Sequence, residues 1–168
     1  MLKRYILIAL FLLTGSSFAQ YLTYSDLISL LNIANDDKKV DNFLVQRGFE
    51  YYSGDFEDGV KNYFYLKTID DDFYAINVYS NPSVGYLSVA ELSLKVARWN
   101  YYKQIVSGNG YKQTDSETKD DGETVIGYSN GKYDIVMQTW IGEAGKNYMI
   151  ILREAIVYWF SGKQNFNS

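Results

Sequence analysis

Apolar and polar positions recur along this chain with two different periods, and the switches between them mark out helices and strands. From Thr23 to Ile33, Leu27, Ile28, Leu30 and Leu31 fall on one face at helical spacing, and Thr23 or Ser25 can cap the first turn. Asn35-Asp36-Asp37 interrupts the pattern and can cap a second helix carrying Val40, Phe43 and Leu44. Gly48 stands where a helix stops in the left-handed conformation. The period then falls to two. Runs at 49–52, 60–68 and 73–80 predict strands, with Asp70-Asp71-Asp72 as the turn between the last two. Asn81-Pro82-Ser83 ends the third run, because proline brings no ladder donor. A fourth strand is expected over 86–94, where the pattern also suits the start of a helix.

Helical spacing returns over 97–106, with Trp99, Tyr102, Ile105 and Val106 on one side, and Gly108-Asn109-Gly110 ends it. Runs at 111–114, 124–129, 133–141 and 148–155 predict four more strands, and Asn130-Gly131 is the strongest hairpin signal in the chain. The polar stretch 115–123 reads as an exposed hairpin loop, and the apolar run 156–160 as an extension of the last strand or a cover for an edge. An offset of 62 aligns Gly48-Phe49-Glu50 with Gly110-Tyr111-Lys112, Phe64 with Ile126 and Leu87 with Met149. The expectation is an α+β fold: an antiparallel sheet packed by helices on one face, with two tandem helix-plus-four-strand units over 37–94 and 97–155 inside a single domain, 20–168.

The first nineteen residues stand apart. Lys3 and Arg4 precede an apolar run from Ile6 to Leu13, and Ser17-Phe18-Ala19 places small residues before Gln20. That is the layout of a secretory signal peptide, and its apolar run is too short to span a hydrocarbon core of ~30 Å. The reading is an exported chain, periplasmic or extracellular, that starts near Gln20 and keeps no membrane span after cleavage. Its formal net charge is −4, and losing Lys3 and Arg4 makes it more acidic, so phosphate is repelled and nucleic acid is not an expected partner. Seventeen tyrosines against one proline tilt the composition towards sheet.

The chain has neither histidine nor cysteine. Disulfides, thiol nucleophiles, Ser-His-Asp hydrolysis, imidazole or thiolate zinc sites and histidine-held haem are thereby excluded, and nothing implies a cofactor. Three acidic groups invite a metal reading: Asp55/Glu57/Asp58, Asp70/Asp71/Asp72 and Asp115/Glu117/Asp120/Asp121/Glu123. The third fails the calcium-loop pattern, because Lys119 falls where an oxygen donor is required and Asp120 where glycine is required. All three read as solvated turns, with no metal site. Gly108-x-Gly110 follows a helix, whereas a nucleotide loop precedes one. Asp134 and Glu154 can neighbour each other in the last hairpin, where cross-strand pairing with Lys or Arg is expected of them.

Strand alternation points to one candidate surface. Over 60–68 it sends Val60, Phe64 and Leu66 to the core and Lys61, Tyr63, Tyr65 and Lys67 outward. Over 73–80 Tyr74, Ile76 and Val78 are core, and Phe73, Asn77 and Tyr79 face out; over 133–141 Tyr133, Ile135, Met137 and Ile141 are core, and Asp134, Gln138 and Trp140 face out. The candidate ligand- or partner-binding residues are therefore Tyr63, Tyr65, Phe73, Tyr79 and Trp140, since Tyr and Trp bury much area at low entropic cost.

The leader, the helix-glycine-aromatic-strand units and the Tyr/Asn/Lys/Ile-rich remainder resemble small exported proteins of the Bacteroidetes. The doubled plan also looks like the tandem architecture of secreted β-lactamase inhibitor proteins and small outer-membrane assembly lipoproteins. This chain lacks the disulfides of the former and the anchoring cysteine of the latter, so neither role carries over. The functional expectation is an exported, non-catalytic binding protein of the cell envelope, acting on an envelope protein or small ligand through an aromatic sheet face. The alternative is a carboxylate-dependent hydrolase acting on envelope glycans.

Overall fold

The computed structural model describes residues 21–69 and 72–155. The expected leader and the run at 156–160 lie outside the described residues. Within them three helices pack on one face of an eight-stranded antiparallel sheet, the α+β arrangement that the periodicity predicts.

Helix α1 (Tyr24–Asn32) starts at Thr23, whose hydroxyl accepts from the Asp26 amide at 3.1 Å while the Thr23 amide donates to Asp26 Oδ2 at 3.0 Å. This reciprocal capping box satisfies two donors that the first turn leaves unpaired. Leu27, Leu30 and Leu31 form its buried stripe, each contributing roughly 1.5–3 kcal/mol by leaving water. Helix α2 (Asp37–Val45) is capped by Asp36 and buries Val40 and Leu44. Helix α3 (Val96–Gly108) buries Arg98, Trp99, Tyr102 and Val106. No described helix is long and apolar enough to cross a membrane.

The strands are β1 (Glu50–Glu57), β2 (Val60–Ile69), β3 (Asp72–Asn81), β4 (Tyr86–Ser93), β5 (Lys112–Thr118), β6 (Thr124–Ser129), β7 (Tyr133–Gly142) and β8 (Gly145–Glu154). Their order is β1-β2-β3-β4-β8-β7-β6-β5, so two four-stranded meanders meet at a β4–β8 seam and leave β1 and β5 as edges. Helix α1 lies over both β4 and β8.

The halves match position by position. Val40 and Leu44 face the core as Tyr102 and Val106 do, and Gly48 and Gly110 both take left-handed φ, 79° and 70°. Both edge strands then break register three residues after the glycine, between Tyr51 and Ser53 and between Gln113 and Asp115. The offset of 62 holds through these features. Beyond the first strand it drifts, because the hairpins differ in length. Tyr51 sits opposite Tyr65, then Ile76, then Glu91; Gln113 sits opposite Tyr128, then Ile135, then Leu152. Phe64 therefore matches Gly127 and Leu87 matches Tyr148, one residue away from the equivalences that a constant offset predicts.

Several local expectations change. The 86–94 segment is a strand. Strands β1 and β5 run on through Asp55/Glu57 and Asp115/Glu117, which are strand residues and not turns. Asp72 is 1% exposed; it begins β3 and accepts from the Tyr21 and Ser93 hydroxyls and the Leu94 amide. Ile141, expected in the core, is 65% exposed near the end of β7.

The largest correction concerns β2, whose faces are reversed. Tyr65, Lys67 and Ile69 are buried under the helices, while Phe64 and Thr68 are exposed on the other side. The reason lies in α2. Its polar face offers Asp37 and Asp41 to the long, polar-tipped side chains of β2: Lys61 Nζ reaches Asp37 at 2.6 Å and Tyr65 points its hydroxyl at Asp41, while Lys67 Nζ donates to the Arg47 carbonyl at 2.7 Å. Such chains bury their stems and keep their tips paired.

Under the helices the core holds one dense polar group. Arg98 Nε donates to Glu91 Oε1 at 2.6 Å, and Arg98 Nη2 donates to Glu91 Oε2 at 2.8 Å and to the Leu22 carbonyl at 2.7 Å. The Tyr74 and Tyr102 hydroxyls both donate to Glu91 Oε2 at 3.0 Å, and Tyr74 accepts from the Leu22 amide. Burial disfavours the charge on Arg98, yet the bonds to Glu91 outweigh it and raise its affinity for the proton. Every charge here is paired, which is the condition for keeping ions out of water.

Candidate functional site

The helices cover one face of the sheet, and the opposite face carries the even-numbered positions of β2, β4 and β7 and the odd-numbered positions of β3 and β8. Cross-strand partners share a face, so the register assigns each side chain. Along the β4–β8 seam Ala90 lies opposite Ile151, with Leu92 opposite Met149. These apolar residues form a floor, and none is shielded by a described helix.

Two hollows open on this floor. One, of about 590 Å³, is lined by Leu92, Met149, Gln138, Trp140, Asp121 and Glu123, with Ile141 at its rim. The other, of about 420 Å³, is lined chiefly by Tyr79, Tyr86, Asn77, Asn81, Ser88 and Ile151, and Val84 of the 3₁₀ turn Pro82–Val84 walls one end. By the strand register, Tyr79 corresponds to Gln138, Asn81 to Trp140 and Ser88 to Met149. The hollows are thus related by an approximate two-fold axis through Ala90 and Ile151, and the same backbone positions carry different chemistry on either side.

In the second hollow the Tyr79 and Tyr86 rings meet edge to face with centroids 5.7 Å apart. Asn77 Nδ2 donates to Asn62 Oδ1 at 2.6 Å, and the buried Asn81 Oδ1 has no hydrogen-bond donor among the described residues. The first hollow is aromatic and acidic. Gln138 Nε2 donates to Glu123 Oε1 at 2.6 Å and Lys119 Nζ pairs with Glu123 Oε2 at 2.7 Å. Lys119 holds its proton more firmly than an ordinary lysine because of that bond. Beyond the second hollow Arg153 approaches Asp134 at 3.4 Å across the strand pair. Burial disfavours the Arg153 charge, but Tyr86 and Asp134 more than compensate.

Of the five residues singled out from the sequence, Phe73, Tyr79 and Trp140 are on this open face and Tyr63 and Tyr65 are not. Tyr65 is 3% exposed and belongs to the core; Tyr63 packs beside it on the helix side, against Tyr51. Phe73 lies six residues along β3 from Tyr79, about 20 Å at strand rise, and lines neither hollow. Tyr86, Met149 and Ile151 complete the surface and were not singled out. The signal for Tyr86 is the even-position series Tyr86, Ser88, Ala90, Leu92 in β4, and Met149 and Ile151 follow from the β8 residues paired with Leu92 and Ala90.

Asp134 faces the open side and pairs with Arg153, whereas Glu154 lies opposite Tyr133 on the helix side. They do not converge. Among the described residues no group of three or more acidic side chains is arranged to hold a metal ion. No family model, curated protein or solved structure matches this chain.

Proposed function

We propose that this chain is an exported, non-catalytic binding protein of the cell envelope and that it engages its ligand through the open face of the sheet. The layout of residues 1–19 supports export. The observation that carries the binding reading is the pair of hollows on a continuous apolar and aromatic floor, left without a helix among the described residues. Concave apolar surface with a few polar groups is where ligands bind.

The glycan-hydrolase alternative has one point in its favour, since Asp121 and Glu123 line the same hollow. It is the weaker reading, because Lys119 and Gln138 occupy both oxygens of Glu123 and leave neither free to exchange a proton with a substrate. General acid catalysis needs that freedom.

The test uses the full chain expressed in an exporting host. Mass analysis should find the product beginning at Gln20. Binding to immobilised envelope proteins and glycans is then compared for Tyr86→Ser, Trp140→Ser and Tyr65→Phe. The two open-face variants should lose binding and keep the melting temperature of the parent, and Tyr65→Phe should keep binding. Retained binding in both open-face variants, or hydrolysis of a glycan that Glu123→Gln abolishes, overturns the reading.

A further inference from the structure

The open face of the sheet carries an excess of acid, whereas the helical layer is mixed, with Lys38, Lys39 and Arg47 beside Asp26, Asp36, Asp37 and Asp41. On the open face, register places Glu50 and Asp55 along the β1 edge and Asp115 and Glu117 along the β5 edge. Asp121 adds to this at the first hollow. The described cations on that face are Arg153, held by Asp134, Lys119, held by Glu123, and Lys112 at the start of β5. An apolar floor therefore runs between two acidic borders.

We infer that the open face takes a basic polypeptide segment, whose aliphatic or aromatic side chains enter the hollows and whose Lys or Arg residues meet the acidic borders. This rests on the open-face reading above and adds the chemistry of the partner. Three features select it. A second copy of this chain would bring acidic borders against acidic borders, and like charges across an interface are repulsive. Eight strands place the borders about 34 Å apart, a span that a small molecule cannot bridge and that an extended peptide of roughly ten residues does. The first hollow combines the Trp140 indole with the Asp121 carboxylate, and an indole beside a carboxylate suits a guanidinium or ammonium better than a neutral group.

The probe is a displayed library of random peptides of roughly 12 residues, which extend to about 40 Å. Selection against the mature chain should enrich Lys or Arg interspersed with Leu, Phe or Trp. The best-enriched peptide should bind at least about tenfold more weakly to Trp140→Ser. It should also weaken with Glu117→Gln/Asp121→Asn and with rising salt, as screened ion pairs do. Circular dichroism melting establishes that these variants fold. Enrichment of neutral or acidic peptides, or indifference to the charge substitutions, overturns the basic partner and leaves the open-face reading standing. If no peptide is enriched, or if binding ignores Trp140→Ser and Tyr86→Ser alike, both fall. A self-associated dimer that Trp140→Ser dissociates also overturns the basic partner, since the face would then be an interface between copies.

Discussion

Ala90 on β4 and Ile151 on β8 face each other across the seam, and each is the counterpart of the other in the two halves of the fold. The approximate two-fold axis therefore runs through a pair of side chains on the open face. Backbone repetition makes two hollows, and side-chain divergence makes one of them an amide-rich tyrosine site and the other an acidic tryptophan site. Glu91 also breaks the symmetry, since its counterpart in the second half is Leu152.

Breaking the Glu91–Arg98 pair leaves a charge stranded in the core. Arg98→Leu should lower the unfolding free energy by about 3–5 kcal/mol, and the double variant Glu91→Leu/Arg98→Leu should recover much of that loss, because it removes both ions together. Urea denaturation of the single and double variants measures the difference. A double variant as unstable as Arg98→Leu would contradict the prediction.

Alkaline titration should separate the tyrosines. Burial, aided by the Glu91 carboxylate, raises Tyr74 and Tyr102 well above the ordinary tyrosine value. Burial also raises Tyr65, with Asp41 contributing, and Tyr111, with the Tyr24 hydroxyl contributing. In the unfolded chain all of these titrate near 10. Their contribution to stability is therefore complete below about pH 10 and declines as the pH rises towards the folded values. Ultraviolet difference spectra should show these four ionising only together with loss of the folded signal.

Asp26 gives the acid counterpart. Burial pushes its proton affinity up, but hydrogen bonds from the Thr23 hydroxyl and amide and from Arg47 at 3.1 Å outweigh it and hold the carboxyl below the usual range. A lowered folded value means that the stabilisation is present above about pH 4 and is lost as the pH falls through the lower folded value. Asp26→Asn should cost about 1 kcal/mol at neutral pH and flatten the acid limb of a stability–pH curve.

Two glycines at the end of α3 should respond in opposite directions to alanine. Gly108 is helical with open space around its Cβ position, so Gly108→Ala should stabilise by about 0.5–1 kcal/mol. Gly110 also has open space, but its φ of 70° is left-handed, and Gly110→Ala should cost about 1 kcal/mol. Thermal melts of the two variants should move apart.

What the sequence made legible follows from where burial is one-sided. The stripes of α1 and α2, the stops at Gly48 and Gly110, and the faces of β3 and β7 each set apolar against polar positions, so the period alone decides them. β2 places Tyr or Phe on both faces, so its alternation fixes the strand without fixing its phase, and only the buried Ile69 and the acids of α2 decide it. The edges hid for the opposite reason. All of β5 and all of β1 are exposed, so residues such as Asp115, Glu117 and Asp55 show no alternation and pass for loop. Asp72 reads as a solvated turn residue, because the groups that receive it come from segments far away in the chain.

The bond from Arg98 to the Leu22 carbonyl spans 76 residues. Its donor belongs to α3, and its acceptor belongs to the stretch that leads into α1. A chain made or threaded from its amino end therefore produces α1 long before the group that anchors that helix exists. Assembly cannot finish in the order of synthesis. A fragment ending at β4 would hold all the strands of the first meander yet lack the Arg98 and Tyr102 that pair with and cover Glu91.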